Sequence, residues 1–223
     1  MQGQIRHFAE TASRPVDAVR LLAVSKTFGA NDVIAAADAG QRAFGENYLQ
    51  EALDKQAEIA TQRPDLKLEW HFIGPIQSNK TRAIASHFDW VHSIEREKIA
   101  QRLSEQRPAH LPDLQVCLQV NISGEASKSG VHPDELPQLA KAVAQLPRLQ
   151  LRGLMAIPEP AESLQAQRQP FSRLRQLAEA LCAEGLTIDT LSMGMSADLQ
   201  AAILEGATIV RVGTAIFGQR DYT

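Results

Sequence analysis

Residues 21–26 read LLAVSK, an apolar run that suits a buried strand and ends directly in a lysine. Because burying an unpaired ammonium is costly, Lys26 is expected at the solvent end of the strand or at a site that uses its amine. Parallel barrels carry their catalytic groups at the C-terminal ends of their strands, where a partly desolvated lysine can attack an aldehyde. An ordinary strand-end lysine that reaches water explains the same residues, so this stretch alone leaves both interpretations open.

Outward from this stretch, strand-like and helix-like segments alternate along the chain. Turn residues such as Gly40, Pro64 and Gly185 separate them. The predicted strands cover residues 21–26, 42–45, 68–73, 88–93, 114–122, 149–157, 186–192 and 207–213. Eight such units in about 200 residues or more fit an α/β fold, a closed (β/α)8 TIM barrel. An open doubly wound sheet is the alternative, but residues 26–29 (KTFG) do not form the glycine-rich loop that usually follows its first strand.

Length and charge limit the classes of protein that fit. The chain has 223 residues and a net charge of −3, so we expect one barrel domain over residues 1–223. No basic tract indicates nucleic-acid binding, and no apolar run approaches the roughly 20 residues of a membrane span. Residues 1–15 contain no apolar signal-peptide core, so a cytoplasmic location is expected.

The two cysteines form neither a disulfide framework nor a zinc-binding pattern. Cys117 lies in an apolar strand run and Cys182 on an apolar helix face. Both are therefore predicted to be small core residues rather than reactive thiols.

If the fold is a barrel, the ends of its parallel strands meet at one mouth. The residues that the sequence places there are Lys26, Asn47, His71, His92, Asn121, Met155, Ser192 and Arg211.

The loops after the last two predicted strands read SMGMS (192–196) and GTAIFG (213–218). Barrel enzymes often bind phosphate after strands seven and eight, where small residues let backbone N–H groups approach an anion. Ser196 also begins a helix, whose dipole favours negative charge. Ordinary caps and turns explain either loop separately, but the two together favour a phosphate site.

A Schiff-base lysine after the first strand and a phosphate site after the last two describe pyridoxal 5′-phosphate (PLP). Arg211 shares a strand face with Ile209 and Gly213, and a guanidinium inside a barrel needs an acceptor. The pyridine nitrogen of PLP is a suitable acceptor. A structural ion pair between Arg211 and an acid at the mouth is the alternative.

Several motifs together resemble one family closely from Leu21 onward. They are LLAVSK, FGENYLQE, WHFIGPIQSNK, VCLQVNISGEASKSG, RGLMAIP, LSMGMSADLQAAI and VRVGTAIFGQRDY. The chain resembles the pyridoxal phosphate homeostasis protein family, whose fold is that of the N-terminal barrel of alanine racemase.

The resemblance implies a role for individual residues. It implies PLP on Lys26, Arg211 at the pyridine nitrogen, and phosphate bound by Ser192, Ser196, Gly213 and Thr214. It further implies that Asn47, His71 and Met155 line the same pocket.

Two features depart from the family pattern, and one further lysine matches it. The segment before Leu21 is shorter than the family's typical first helix, so the base of the barrel is expected to be less covered. Phe28 stands where some bacterial relatives carry a second lysine. Lys128 matches a lysine in the loop after the fifth strand and is interpreted as a solvated loop charge.

The expected function is intracellular PLP homeostasis: a non-catalytic protein that stores, buffers or delivers PLP held as a Schiff base. Apo PLP-dependent enzymes are the expected partners, and the protein is expected to be a monomer. The first alternative is a small fold-type III racemase or decarboxylase. The chain is too short for the C-terminal β-domain that supplies a catalytic group in the resembled racemases. A phosphosugar enzyme that uses Lys26 as an aldolase amine is a weaker alternative.

Overall fold

The computed structural model describes residues 1–123 and 129–219, which form eight parallel strands closed into a barrel. Neighbours along the chain pair in order, and the last strand pairs with the first. The strands are β1 (Arg20–Val24), β2 (Ala43–Glu46), β3 (Glu69–Phe72), β4 (Trp90–Ile94), β5 (Leu114–Gln119), β6 (Leu149–Met155), β7 (Thr190–Ser192) and β8 (Ile209–Val212). The predicted (β/α)8 barrel is confirmed. That all of residues 1–223 form one domain stays a prediction.

Helices follow the strands and surround the barrel. They are α1 (Gln2–Thr11), α2 (Ala30–Asp38), α3 (Leu49–Gln62), α4 (Thr81–His87), α5 (Glu97–Gln106), α6 (Leu136–Ala144), α7 (Leu164–Ala183), α8 (Leu199–Leu204) and α9 (Thr214–Phe217). Helix α1 precedes the first strand and buries Ile5 and Ala9. None of the helices within the described residues is long and apolar enough to cross a membrane.

Seven of the eight observed strands are shorter than predicted, and β2 keeps its predicted length but is shifted by one residue. The seventh was predicted from residue 186, but β7 contains only Thr190–Ser192 because β6 pairs with β7 only over those residues. The fifth was predicted to reach residue 122, but β5 ends at Gln119. Apolar composition extends beyond the ladder at both places, whereas a strand requires a partner in register.

Alternation along the strands separates two apolar regions. Leu22 and Val24 point into the barrel, whereas Ala23 between them faces the helices. The apolar residues of the barrel interior are Leu22, Val24, Ala43, Ile73, Trp90, Cys117, Met155 and Ile209. The larger region lies between the strands and the helices and includes Phe44, Phe88 and Phe171.

The two cysteines have different environments. Cys117 is fully buried in the barrel interior, as predicted, and burial raises the pKa of its thiol to about 12. The prediction for Cys182 is wrong because its side chain is exposed. Helix α7 buries Phe171, Leu174 and Leu181, and a step of about 100° per residue turns Cys182 away from that face.

Two glycine-to-alanine changes test the close packing of the barrel. A Cβ on Gly153 in β6 would lie 1.7 Å from the backbone oxygen of Thr190 in β7, whereas a Cβ on Gly3 would meet nothing within 4 Å. We expect Gly153→Ala to lower the free energy of unfolding by about 3 kcal/mol or more, because the two strands must separate. Gly3→Ala, in α1, should raise it by less than about 1 kcal/mol. Urea denaturation measures both changes, and a Gly153→Ala protein as stable as the parent would contradict this packing.

Candidate cofactor site

Lys26 lies at the mouth of the barrel just beyond β1. The N–H of Ser25 donates to the carbonyl of Gly45 at 3.0 Å, so strand alternation continues to Ser25 and places Lys26 on the inward side. Lys26 is partly buried. Thr27 then adopts a left-handed backbone, with φ of 69°, and its N–H donates to Glu51 Oε1 at 2.6 Å. The chain therefore turns out of the barrel directly after Lys26.

A buried charge cluster lies behind this turn, between the strands and α3. Lys55 Nζ donates to Glu46 Oε1 at 2.6 Å, to the carbonyl of Ser25 at 2.8 Å and to Glu51 Oε1 at 3.2 Å. Ser25 Oγ donates to the same oxygen of Glu46 at 2.6 Å. Burial raises the pKa of Glu46, and the nearby Lys55 and Ser25 offset this only in part. The cluster ties the end of β1 to β2 and α3, and so fixes the backbone beside Lys26.

The guanidinium of Arg211 is buried inside the barrel. The Cα of Arg211 is in register with that of Leu22, four residues before Lys26. Its NH1 donates to the Ser192 carbonyl at 2.6 Å and to Ser192 Oγ at 2.8 Å, and its NH2 donates to the Ala156 carbonyl at 2.9 Å. Burial lowers the pKa of Arg211 to about 10, so it stays charged at neutral pH. It forms no ion pair with any described residue, so the alternative of a structural acid partner is not observed there.

Two histidines continue the hydrogen bonds from Arg211 toward the base of the barrel. His92 Nδ1 lies 2.7 Å from Ser192 Oγ, and His92 Nε2 lies 2.8 Å from His71 Nδ1. His71 Nε2 lies 2.6 Å from Glu69 Oε1, which also accepts from Arg20 NH2 at 2.7 Å. The ring of His71 stacks on Trp90, with centroids 5.4 Å apart. A continuous line of polar groups thus crosses the barrel interior.

The ionisation states along this line follow from burial and charge. Burial lowers the pKa of His71 despite the neighbouring Glu69, and it lowers the pKa of His92 well below its ordinary value. Both rings are therefore neutral at pH 7. Burial raises the pKa of Glu69, but His71 and Arg20 outweigh that effect and bring it to about 2. Glu69 is therefore a carboxylate.

The loops after β7 and β8 expose hydroxyl groups at the rim. Ser196 and Thr214 are exposed, and Thr214 begins α9, where the first N–H groups have no partner within the helix. Gly194 has φ of 95°, and a Cβ there would lie 2.4 Å from the Cβ of Ala202. The loop after β7 therefore lies directly against α8 and leads to Ser196 at the rim.

The remaining predicted site residues lie at different depths. Ser192 is fully buried and does not lie at the rim. Its hydroxyl contacts Arg211 and His92 inside the barrel. Met155 and His71 are also buried in the barrel interior. Asn47 is partly buried beyond β2. Their contacts with a cofactor stay predictions, and Lys128 lies outside the described residues.

An unsatisfied acceptor at the mouth supports the fit of a polar ligand. The side-chain oxygen Oδ1 of Asn47 is buried and has no hydrogen-bond partner among the described residues. Buried acceptors normally have a donor, so this oxygen suits a polar ligand. The inward amine of Lys26, the donors of Arg211 and the rim hydroxyls complete a set that suits an aldehyde, a ring nitrogen and a phosphate. Within residues 1–123 and 129–219, no three His, Cys, Asp or Glu side chains are arranged so that they could hold a metal ion.

Sequence reasoning missed the residues that support this site. Lys55, Glu46 and Glu51 were not identified, because their pairing joins a strand to a helix. Glu69 was also missed, although it alternates with His71 on the inward face of β3. That alternation was the available signal.

Comparison with known proteins identifies the family. The profile of the alanine racemase N-terminal domain family matches residues 1–221. The Pyridoxal phosphate homeostasis protein of Pseudomonas aeruginosa is 66% identical over 219 residues, which cover 98% of this chain and 92% of that protein. The protein of the same name from Vibrio cholerae is 57% identical, over 99% and 93% of the two chains.

The chain belongs to the alanine racemase N-terminal domain family and, within it, to the pyridoxal phosphate homeostasis proteins. A solved structure of PipY from Synechococcus elongatus, with PLP bound, has a TM-score of 0.83 and 40% identity. That match covers 96% of this chain and 100% of PipY. The family predicted from the motifs is confirmed.

The charge cluster behind Lys26 leads to a stability prediction. Lys55→Met should lower the free energy of unfolding by about 3–5 kcal/mol, because Glu46 is left buried without its cation. Adding Glu46→Gln should recover much of that loss, since the amide oxygen can still accept from Ser25. Urea denaturation compares the single and double variants.

Lys141→Met is the matched control. Lys141 pairs with Glu184 at 2.7 Å, but both side chains are exposed, so its loss should cost less than about 1 kcal/mol. Equal effects of Lys55→Met and Lys141→Met would show that the buried cluster contributes no more than a surface pair.

Proposed function

We propose that this protein binds PLP through Lys26 and acts in PLP homeostasis by storing, buffering or delivering the cofactor. The observation that carries the proposal is the pairing of β1 and β8, which places an inward lysine beyond a buried arginine that forms no ion pair with any described residue. Relatives named for pyridoxal phosphate homeostasis, and the PLP-bound PipY structure, support it.

Each residue has a distinct role in the proposed site. The Lys26 amine would hold PLP covalently through the aldehyde of the cofactor. Arg211 donates a hydrogen bond to the ring nitrogen, because a guanidinium has donors only. The rim groups of Ser196, Gly213 and Thr214 bind the phosphate. Asn47 offers its free oxygen to a polar group at the ring edge.

The same arrangement argues against amino-acid turnover. PLP supplies an electron sink in enzymes, but a ring nitrogen that accepts from an arginine is left unprotonated and withdraws electrons weakly. Turnover also requires a positioned acid or base near the reacting carbon. His71 and His92 are buried and bonded to each other and to their neighbours, so they do not provide that group at the mouth. A carrier needs only reversible attachment.

The remaining parts of the proposal concern the cell. We infer that the protein acts in the cytoplasm as a monomer and that apo PLP-dependent enzymes are the recipients. The naming of the relatives for homeostasis, rather than for an enzyme reaction, supports the part of this inference that concerns delivery.

Chemical reduction tests the attachment. The protein mixed with PLP should turn yellow, and borohydride should fix the cofactor to the peptide that contains Lys26. Lys26→Ala should remain folded but retain no reducible cofactor, because its side chain lies beyond the strand end. Peptide mass spectrometry after digestion locates the label.

Lys98→Ala is the control, since Lys98 is an exposed lysine on α5 and its loss should leave the label unchanged. A label on Lys128 or on any other lysine would refute the attachment at Lys26. A wild-type protein that takes up no PLP would refute the proposed function as a whole.

Kinetic assays separate a carrier from an enzyme. The PLP-loaded protein, incubated with L- and D-amino acids, should racemise or decarboxylate none of them at an enzyme-like rate, because the buried His71 and His92 are bonded inside the barrel. It should restore activity to an apo PLP-dependent enzyme. Chirality, carbon dioxide release and recovered activity are the measurements.

The control is an equal amount of free PLP added to the same apo-enzyme. Turnover on the order of 1 per second or faster would establish a racemase or decarboxylase instead. Failure to reactivate an apo-enzyme that free PLP activates would exclude delivery as the role.

A further inference from the structure

The proposed function does not explain the polar line beneath Arg211. Glu69, His71, His92 and Ser192 connect the base of the barrel to the guanidinium through successive contacts of 2.6, 2.8, 2.7 and 2.8 Å. Both histidines are fully buried, at 1% and 0% exposure. Buried imidazoles in an otherwise apolar interior are costly unless each nitrogen is satisfied, so their direction of hydrogen bonding is informative.

The two ends of the line determine that direction. The Glu69 carboxylate only accepts, so the proton of the neutral His71 ring lies on Nε2 and its Nδ1 is an acceptor. His92 must then carry its proton on Nε2 to donate to His71, which leaves His92 Nδ1 as an acceptor. The Ser192 hydroxyl consequently donates to His92. Its oxygen remains free to accept from Arg211 NH1, as the distance of 2.8 Å requires.

The line also connects two opposite charges. Arg211 is buried without an ion pair among the described residues, and Glu69 is the carboxylate at the other end. Hydrogen bonds in series polarise one another in a medium of low dielectric constant. Each donor in the line points toward Glu69, so the Ser192 oxygen becomes a better acceptor for the guanidinium.

We propose that Glu69, His71 and His92 are positioning residues, which keep the Ser192 oxygen turned toward Arg211 and thereby hold the guanidinium at the PLP ring nitrogen. This inference rests on the proposed function, because it assumes that Arg211 contacts PLP. None of the three residues needs to touch the cofactor.

Protonation of His71 reverses the direction of the hydrogen bonds from His71 to Ser192. A cationic His71 donates from Nδ1 as well, which forces His92 to accept at Nε2 and to carry its proton on Nδ1. His92 then donates to the Ser192 oxygen, which no longer donates to His92 and is therefore a weaker acceptor for Arg211. Protons can reach the line from the base, where the Glu69 side chain is 33% exposed and borders a cavity of about 270 Å³.

Other charged groups act on the same atoms. The titratable and charged groups that face the two rings or Arg211 are Arg20, Glu69, Asp89, Cys117 and Asp198. Among them, Glu69 favours a cationic His71 and Arg20 disfavours it. The loss of the Glu69 charge should therefore move proton uptake to lower pH.

Nitrogen NMR of the cofactor-free protein tests the direction without any ligand. With ¹⁵N-labelled histidine, His71 and His92 should both be neutral at pH 7 and protonated on Nε2. Single His71→Phe and His92→Phe variants assign the signals. A proton on Nδ1 of His92, or a cationic ring at pH 7, would overturn the proposal.

The pH dependence of PLP affinity tests the positioning role. Glu69→Gln retains an acceptor oxygen for His71 but loses the charge. We expect it to bind PLP more weakly at pH 7, by about threefold to tenfold, the effect expected from weakening one hydrogen bond to a charged group. In the wild type, the affinity for PLP should fall at acid pH as His71 takes up a proton, and in Glu69→Gln this fall should occur at lower pH. Glu58→Gln is the matched control, because Glu58 is exposed on α3 and the chemistry of the change is identical.

A second variant removes the hydrogen-bonding ring of His71. His71→Phe interrupts the line and should weaken PLP binding by about tenfold or more. Cys117→Ala removes a buried side chain from the same interior and reports the effect of packing alone. If His71→Phe does not fold, the Glu69→Gln and Glu58→Gln pair decides the question.

The outcomes distinguish this inference from the proposed function. A wild-type protein that binds no PLP would overturn both. Wild-type binding, with the same affinity and pH profile in Glu69→Gln as in Glu58→Gln, would overturn the positioning role and leave the PLP site intact. Weaker binding and a shifted pH profile in Glu69→Gln alone would support it.

Discussion

The burial of one guanidinium is the constraint on which the rest of the site depends. Arg211 lies inside the barrel at 4% exposure and has no carboxylate partner among the described residues. Its charge is stabilised instead by the carbonyls of Ala156 and Ser192 and by the Ser192 hydroxyl. Since those acceptors belong to the ends of β6 and β7, three neighbouring strands must keep their register for the arginine to stay buried. The nearby backbone carbonyls and the distant Glu69 carboxylate together stabilise the guanidinium in place of an ion pair.

Arg211 and the backbone at Lys26 are held in place in different ways. Arg211 is supported from inside the barrel by neutral groups in series, whereas the backbone at Lys26 is fixed from outside by the Lys55, Glu46 and Glu51 cluster. The interior therefore needs no acid close to the arginine. A carboxylate there would compete with a ring nitrogen for the guanidinium, so its absence among the described residues keeps those donors available.

The separation of a rigid interior from an exposed rim suits reversible binding of a cofactor. The rigid part of the site lies below the rim, where His71, His92 and Ser192 are buried and fully bonded. The loops after β7 and β8 expose Ser196 and Thr214 at the rim. A ligand bound at such a mouth can leave without disturbing the core.

The sequence by itself predicted the barrel and the strand face that Arg211 shares with Ile209 and Gly213, because alternation and segment order are local properties of the chain. It placed Lys26 at the end of the first strand, whereas the inward side follows from the hydrogen bond between Ser25 and Gly45. It did not determine which groups meet inside the barrel. His92 and Ser192 are 100 positions apart, and only barrel closure brings them within 2.7 Å. The pairing of Lys55 with Glu46 likewise depends on how α3 packs against the strands. The periodicity of the sequence predicts which face of a strand or helix a side chain occupies. The residue that it contacts there is decided by the register and packing of the whole fold.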